Sequence, residues 1–247
     1  MDENLLQVKH LNVCYKKAQI LLDVSLDVKG GEIVAIAGES GSGKTTLLRA
    51  ISNMLYSGGA ITSGEILFKN IDLTKLSHRE WKNIYGKQMG FTFQDPGKTF
   101  DPIRKIGSQF TEVLKSNTKW KKKEIEKRQL AILRRFNIDD PERILSSYAF
   151  QLSGGLKQRT AIAMAMAVSP SILLADEPTS ALDVTTQKQI ALELKQLKEI
   201  SGSSILFVTH NLRLAAFLAD RIGIMHHGML VEFGETEKIL KNPANDY

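Results

Sequence analysis

Apolar residues along the chain fall into short runs separated by polar turns, and into longer segments with helical spacing. Leu5 to Val13 and Ile20 to Val28 alternate or cluster Val and Leu as paired strands do, which predicts an antiparallel edge layer. Glu32 to Ala37 reads as a short buried strand, and Thr45 to Ile51 opens a helical pattern. After a loop at Ser57-Gly58-Gly59, short strands are predicted at Gly64 to Phe68 and Lys87 to Phe93, the second delivering Gln94 at its end. A long polar region follows, in which Lys121-Lys122-Lys123 leads into Ile125, Leu130, Leu133 and Phe136 at roughly helical spacing, the pattern of a separate helical subdomain. From Gly154 the pattern predicts a helix to Val168, a strand Ile172 to Ala175, a helix Thr186 to Ile200 and a strand Ser204 to Val208. Leu212 to Leu218 (helix), Arg221 to Met225 and Met229 to Phe233 (hairpin) and Thr236 to Leu240 (short helix) complete the chain. Such alternation predicts an α/β fold with a parallel sheet.

Between the third strand and its helix lies Gly38-Glu39-Ser40-Gly41-Ser42-Gly43-Lys44-Thr45, which satisfies G-x-x-x-x-G-K-[ST] at every fixed position. Its glycines let successive backbone N–H groups turn inward around phosphate oxygens, a curvature that a β-carbon obstructs. The helix that follows adds its partial positive end. Lys44 can reach β- and γ-phosphates, and the Thr45 hydroxyl can ligate Mg²⁺.

Length and composition narrow the setting. A chain of 247 residues is long enough for one large domain or two small ones. A net charge of +6 suits nucleic acid, an anionic membrane surface or bound nucleotide, and does not choose among them. The lysine run reads as a solvated helix face rather than a nucleic-acid patch, because Trp120 is its lone aromatic neighbour. With Cys14 as the single cysteine, no intrachain disulfide or cysteine-built cluster can form, which fits a reducing compartment. The beginning MDENLLQVKHL has acids early and no basic region ahead of an apolar core, unlike a secretory signal, so a cytoplasmic setting is expected. The longest apolar run, Ala161 to Val168, is too short to span a bilayer.

The remaining candidate chemistry lies at strand ends. Ile172 to Ala175 leads into Asp176-Glu177, so a buried strand presents two carboxylates at the sheet edge where α/β ligands sit. Asp176 suits Mg²⁺ binding, and Glu177, pointing elsewhere, suits a base that polarises water for attack on a γ-phosphate. Leu152-Ser153-Gly154-Gly155 precedes a helix starting near Leu156 and offers a hydroxyl, bare backbone and a helix N-terminus to a second anion, which leans towards dimerisation. His210 directly follows a strand and can reach a γ-phosphate. Tyr15 is placed equally well to stack on adenine or to pack at a sheet edge. His226-His227 does not read as a metal site, because adjacent residues on a strand point to opposite faces.

Together these motifs, in this order and over essentially the whole chain, resemble the ATP-binding cassette (ABC) ATPases, the nucleotide-binding subunits of transporters. Tyr15 matches the aromatic loop, Gly38 to Thr45 Walker A, Gln94 the Q-loop, Leu152 to Gly155 the signature and Ile172 to Glu177 Walker B. Ser180-Ala181-Leu182-Asp183 matches the D-loop, and His210 the switch histidine. The resemblance implies a single ABC ATPase domain over 1–247 with a P-loop NTPase (RecA-like) core and an antiparallel β subdomain in 1–94 and 170–247, and a helical signature subdomain in about 95–169. It implies ATP and Mg²⁺ as cofactors, with Thr45, Gln94 and Asp176 towards the metal. Nucleotide contacts would come from Tyr15, Gly38, Glu39, Ser40, Gly41, Ser42, Gly43, Lys44, Thr45, Thr46 and Gln94. Ser153, Gly154 and Gly155 would act in trans within a head-to-tail pair of cassettes, and Glu177 and His210 would be catalytic.

By the same resemblance, the helices between Gln94 and Ser153 receive a coupling helix from a membrane-spanning permease subunit at the cytoplasmic face of the membrane, with an extracytoplasmic substrate-binding protein in the complex. Gly38 to Lys44, Phe93-Gln94-Asp95-Pro96, Asp101-Pro102 and Asn242-Pro243 are similar to oligopeptide, dipeptide and nickel importers. Leu156 stands where the signature usually has Gln, which favours pairing with a different cassette over a homodimer. The alternative is a soluble cassette acting on nucleic acid or ribosomes. It expects long heptad insertions or fused cassettes, and the chain has neither, so no nucleic-acid partner is expected.

Overall fold

The computed structural model describes residues 4–180 and 182–241. Ala181 of the D-loop match and the Asn242-Pro243 pair lie outside them. The strands are β1 (Asn4–Tyr15), β2 (Ala18–Lys29), β3 (Ile33–Ala37), β4 (Gly59–Phe68), β5 (Ile71–Asp72), β6 (Met89–Thr92), β7 (Ile172–Asp176), β8 (Ser204–Thr209), β9 (Arg221–His226) and β10 (Met229–Glu235). The helices are α1 (Lys44–Ile51), α2 (His78–Trp81), α3 (Pro96–Thr99), α4 (Ile106–Asn117), α5 (Lys122–Arg135), α6 (Pro141–Ser146), α7 (Gly154–Met166), α8 (Val184–Ser201), α9 (Leu212–Leu218) and α10 (Thr236–Lys241).

One sheet runs β2-β1-β4-β5 with antiparallel neighbours, and the other runs β10-β9-β3-β8-β7-β6. In the second sheet only the β9–β10 hairpin is antiparallel. Its central strands β3, β7 and β8 are buried at every position because both faces are covered. Ile33, Ala35, Leu173, Ala175, Ile205 and Phe207 enter one core with the helices α4 to α9. Val34, Ile36, Ile172, Leu174, Leu206 and Val208 enter the other, shared with α1 and the antiparallel sheet. Period-two alternation thus feeds two cores from single runs, and places the C-terminal ends of β3, β7 and β8 along one edge.

Several boundaries differ from the sequence reading. β4 begins at Gly59 rather than Gly64, because its first half pairs with the end of β1 from Tyr15↔Gly59 onwards. β6 is shorter than Lys87 to Phe93, with Phe93 and Gln94 beyond its end. α7 starts at Gly154, capped by Ser153, not near Leu156. On α5 the buried face is Ile125, Gln129, Ile132 and Leu133, while Leu130 is half-buried. Gln129 belongs in that core because its amide donates to the Gly107 carbonyl (3.2 Å) and to Thr111 Oγ1 (2.9 Å).

His226 ends β9 and His227 lies beyond it, so the two do not alternate as neighbours on one strand do. His227 has a φ of 45°, so the chain leaves β9 there and the two rings meet edge to face with centroids 4.0 Å apart, rather than facing opposite sides. Among the described residues no group of three His, Cys, Asp or Glu side chains is placed to hold a metal ion.

Candidate functional site

The glycine loop leaves β3 and closes on α1. Gly38, at φ 154°, would drive a β-carbon into the Met225 carbonyl oxygen. Gly43 caps α1 at φ 103°, where a β-carbon would stand 2.8 Å from Leu21 Cδ2. The loop is therefore fitted between β9 and β2 and holds its shape by contact with both. Lys44 is buried, and its Nζ donates to the carbonyls of Gly38 (2.8 Å) and Glu39 (2.7 Å), with Ser42 Oγ at 3.4 Å. The ammonium is held inside the arch of its own loop.

Asp176 ends β7 beneath this loop, 2 % exposed, and accepts a hydrogen bond from Thr45 Oγ1 at 2.9 Å. Burial raises its carboxyl above the ordinary carboxylate range, further helped by Glu177 and opposed by the Thr45 bond and the charges of Arg49 and Lys44. Burial also lowers the Lys44 ammonium from its ordinary value, although Glu177 and Asp176 pull it up. Both groups are thus held against desolvation, an arrangement common where a charged ligand completes the site.

Glu177 has a φ of 45°, and its N–H donates to the Val208 carbonyl at 3.1 Å. That turn separates it from Asp176, as the sequence suggested, and brings its Oε2 to 2.9 Å from His210 Nδ1 across the end of β8. Lys44, Thr45, Thr46, Ser40, Gly41, Gly43, Gln94, Glu177 and Ile20 line one cleft of about 360 Å³, while Glu39, Ser40, Gly38 and His210 line the hollow beside it. Most of the expected nucleotide contacts are therefore brought together.

Tyr15 and the signature residues lie outside these two hollows, as residues acting in trans must in the case of the signature. The Tyr15 ring lies against Gly59, and its hydroxyl accepts from the Tyr56 N–H at 3.1 Å. Ser153, Gly154 and Gly155 line a separate cleft of about 360 Å³ with Leu156, Arg159, Leu182, Asp183 and Thr186. Ser153 Oγ caps α7 by accepting from the Leu156 N–H at 3.4 Å, and Asp183 caps α8 by accepting from the Thr186 N–H at 3.0 Å. One chain thus carries two separate clefts, one at the glycine loop and one at the N-terminus of α7.

Two residues escaped the sequence reading. Arg49 stacks on Tyr56 at 3.9 Å from the ring centroid and acts on the Asp176 carboxyl from below. Arg159 stands in the second cleft, its Nε 3.3 Å from the buried Glu193 carboxylate. Helical spacing was the available signal, since each lies one turn beyond a residue already singled out, Thr45 and Gly155.

A third hollow, a groove of about 480 Å³, runs along α4, lined by Gln109, Glu112, Val113, Ser116 and Asn117 on one side and by Tyr85, Gly86, Met89 and Phe91 on the other.

The family model described as ABC transporter matches residues 21–180. The oligopeptide transport ATP-binding protein OppD of Bacillus subtilis (strain 168) is 41% identical over 248 residues, covering 98% of this chain and 69% of that protein. The dipeptide transport ATP-binding protein DppD of Lactococcus lactis subsp. cremoris (strain MG1363) is 39% identical over 251 residues, covering 100% of this chain and 72% of that protein. A dimeric structure of a post-hydrolysis state of the ATP-binding cassette MJ0796, bound to ADP and Pi, superposes with a TM-score of 0.83 at 33% identity, covering 94% of this chain and 98% of that one. Motif order, cleft geometry and these likenesses agree: the chain belongs to the ABC transporter family and is an ATP-binding, ATP-hydrolysing member of it.

Proposed function

We propose that this chain powers an importer of peptides, binding MgATP in the Lys44 cleft and enclosing it with the signature cleft of a second cassette. The observation that carries the reading is the pair of separate clefts. The Lys44 cleft has a cation, the Glu177 carboxylate and a loop nest but stands open on one side. The Ser153 cleft has a helix N-terminus and no such lysine. Each supplies what the other lacks, so two chains set head to tail complete both. Leu156 in the signature favours a different cassette as the partner, making a heterodimer.

The residues fit Mg²⁺. Thr45 Oγ1 and Asp176 Oδ1 are hard oxygen donors 2.9 Å apart, Gln94 lines the same cleft as Thr45, and a cation beside the buried Asp176 carboxyl would offset the burial that raises it. The absence of a three-carboxylate cage among the described residues suits an ion that takes one or two protein ligands and completes its shell with phosphates and water. When bound, the metal would be held by Thr45, Asp176 and Gln94 and would supply positive charge to offset that of the phosphates.

Around it the protein's own groups divide the work. The loop N–H groups and Lys44 hold the phosphates. Glu177 takes the proton of the attacking water as its oxygen bonds to the γ-phosphorus and the bridging bond to ADP breaks. His210 holds the Glu177 carboxylate in place through Nδ1. Gln94, beyond β6, leads directly into α3 and the groove along α4. This groove fits a helix of a membrane-spanning subunit, with residues of about 95–169 acting as the helical lobe and the chain lying peripherally at the cytoplasmic face. Cargo would meet the permease and an extracytoplasmic binding protein, and the transport names of the relatives point to peptides rather than nickel.

Ser153→Arg tests the reading. The isolated chain should bind MgATP as wild type does, while nucleotide-driven closure with its partner is lost. If closure survives, the signature cleft does not face a partner's nucleotide.

A further inference from the structure

A path of hydrogen bonds and short covalent chain links joins the two clefts within one chain. It starts at Glu177, whose backbone carbonyl accepts from the Ser180 N–H (3.2 Å), and the Leu182 N–H then bonds the Thr179 carbonyl (3.2 Å). The Leu182 carbonyl accepts from Gln187 Nε2 at 2.9 Å, and Gln187 Oε1 accepts from Asn211 Nδ2 at 3.3 Å. Asn211 is tied to β8 through its N–H on Thr209 Oγ1 (3.0 Å). It is adjacent to His210, whose Nδ1 returns the path to the Glu177 carboxylate at 2.9 Å. Leu182 lines the signature cleft, and His210 and Glu177 flank the glycine loop.

Gln187 is the bridge between the two halves. Its amide has a donor at one end and an acceptor at the other, the one side-chain chemistry of that length able to satisfy a backbone carbonyl and an asparagine N–H together. Neighbouring groups are committed elsewhere: Asp183 accepts from the N–H and hydroxyl of Thr186 (3.0 and 2.7 Å), and the Asn211 carbonyl oxygen caps α9 through the Leu214 N–H (3.2 Å). A shift of the Leu182–Asp183 segment therefore has Gln187 as its hydrogen-bonded route to the His210 strand end.

We propose that Gln187 is a positioning residue that carries the state of the signature cleft to the Glu177–His210 pair. When a partner cassette closes over Ser153 to Gly155, it presses on the neighbouring Leu182–Asp183 segment. Through Gln187 that contact fixes Asn211 and with it the imidazole that holds the water-activating carboxylate. Hydrolysis in the Lys44 cleft is thereby linked to occupation of the same chain's other cleft. This rests on the head-to-tail reading above.

The test compares Gln187→Leu, which removes both bonds, and Asn211→Asp, which keeps the α9 cap and removes the donor. Each is assembled with its cognate subunits, and each is also examined as an isolated chain with a fluorescent ATP analogue. Losing two ordinary hydrogen bonds corresponds to roughly tenfold in rate. The expected result is a kcat about tenfold lower with KM for MgATP, and analogue binding by the isolated chain, within about twofold of wild type. An unchanged kcat in a properly folded Gln187→Leu chain would overturn the proposal. So would an equal loss of analogue binding by the isolated chain, since it would mark a general structural role. Ser153→Arg, run alongside, separates the two ideas: if it blocks closure while Gln187→Leu is silent, only the relay fails, and if closure survives, the head-to-tail reading fails first.

Discussion

Glu193→Gln is the substitution whose cost can be worked most directly from the structure. Glu193 lies in α8 and is 1 % exposed, with one carboxylate oxygen accepting from Asn137 Nδ2 (3.0 Å) and Gln189 Nε2 (3.3 Å). The other oxygen is 3.3 Å from Arg159 Nε as an ion pair without hydrogen-bond alignment. It thereby ties α7, which begins at the signature, to α8, which follows the D-loop segment. Removing one member of a fully buried pair costs about 3–5 kcal/mol. The Arg159 side chain keeps 19% exposure, and glutamine preserves volume and can still accept from Asn137, so the expected loss is lower, about 2 kcal/mol. For a chain of this size that is a fall in Tm of roughly 4–8 °C. Replacing both partners, as in Arg159→Met with Glu193→Leu, should recover most of the loss, because two apolar side chains leave no uncompensated charge. Thermal melting followed by circular dichroism on Arg159→Met, Glu193→Leu and the double gives the coupling directly, with Glu193→Gln measured alongside. A fall below about 1 °C for Glu193→Gln, or a double variant as unstable as the sum of the singles, would refute the electrostatic account of this junction.

Two further outcomes follow from the catalytic cleft. Glu177→Gln should bind MgATP normally and turn over on the order of 10²–10⁴-fold more slowly. Turnover within about threefold of wild type would show that another group takes the proton. Asp176→Asn should raise the Tm of the nucleotide-free chain at neutral pH while abolishing turnover. Because burial raises this carboxyl in the folded state, its contribution to stability is full below its ordinary value and is lost as pH rises through the raised one, so at neutral pH the charge is carried at a loss. The variant should also flatten the dependence of Tm on pH across that window, and a variant less stable than wild type at neutral pH would contradict the dominance of desolvation.

The elements most legible in the sequence were those where one physical demand dominates. β3, and β7 as far as Ala175, are apolar at every position because two cores claim them, and α9 matched its expected bounds to the residue. The glycine loop was legible because few sequences suit its backbone. The polar residues that join elements were hidden. Gln129 and Glu193 sit in cores, but nothing in a hydrophobic pattern says which polar side chain will find partners in another helix. The Glu177–His210 contact spans thirty-three positions and depends on a positive φ at Glu177, which no local spacing announces. Tyr15 met two criteria at once, and only the contacts with Gly59 and Tyr56 show where its ring lies. The adjacent histidines misled because the strand rule was applied one residue past the end of β9.

The central claim is that the arch closed by Lys44 holds the phosphates of ATP. Isothermal titration of the purified chain with MgATP, wild type against Lys44→Ala, tests it most directly. Saturable binding is predicted for wild type and an affinity lower by about tenfold or more for the variant, since a charge-assisted hydrogen bond is worth about 1.5–3 kcal/mol. Equal affinities, or no uptake by wild type at millimolar MgATP, would contradict it.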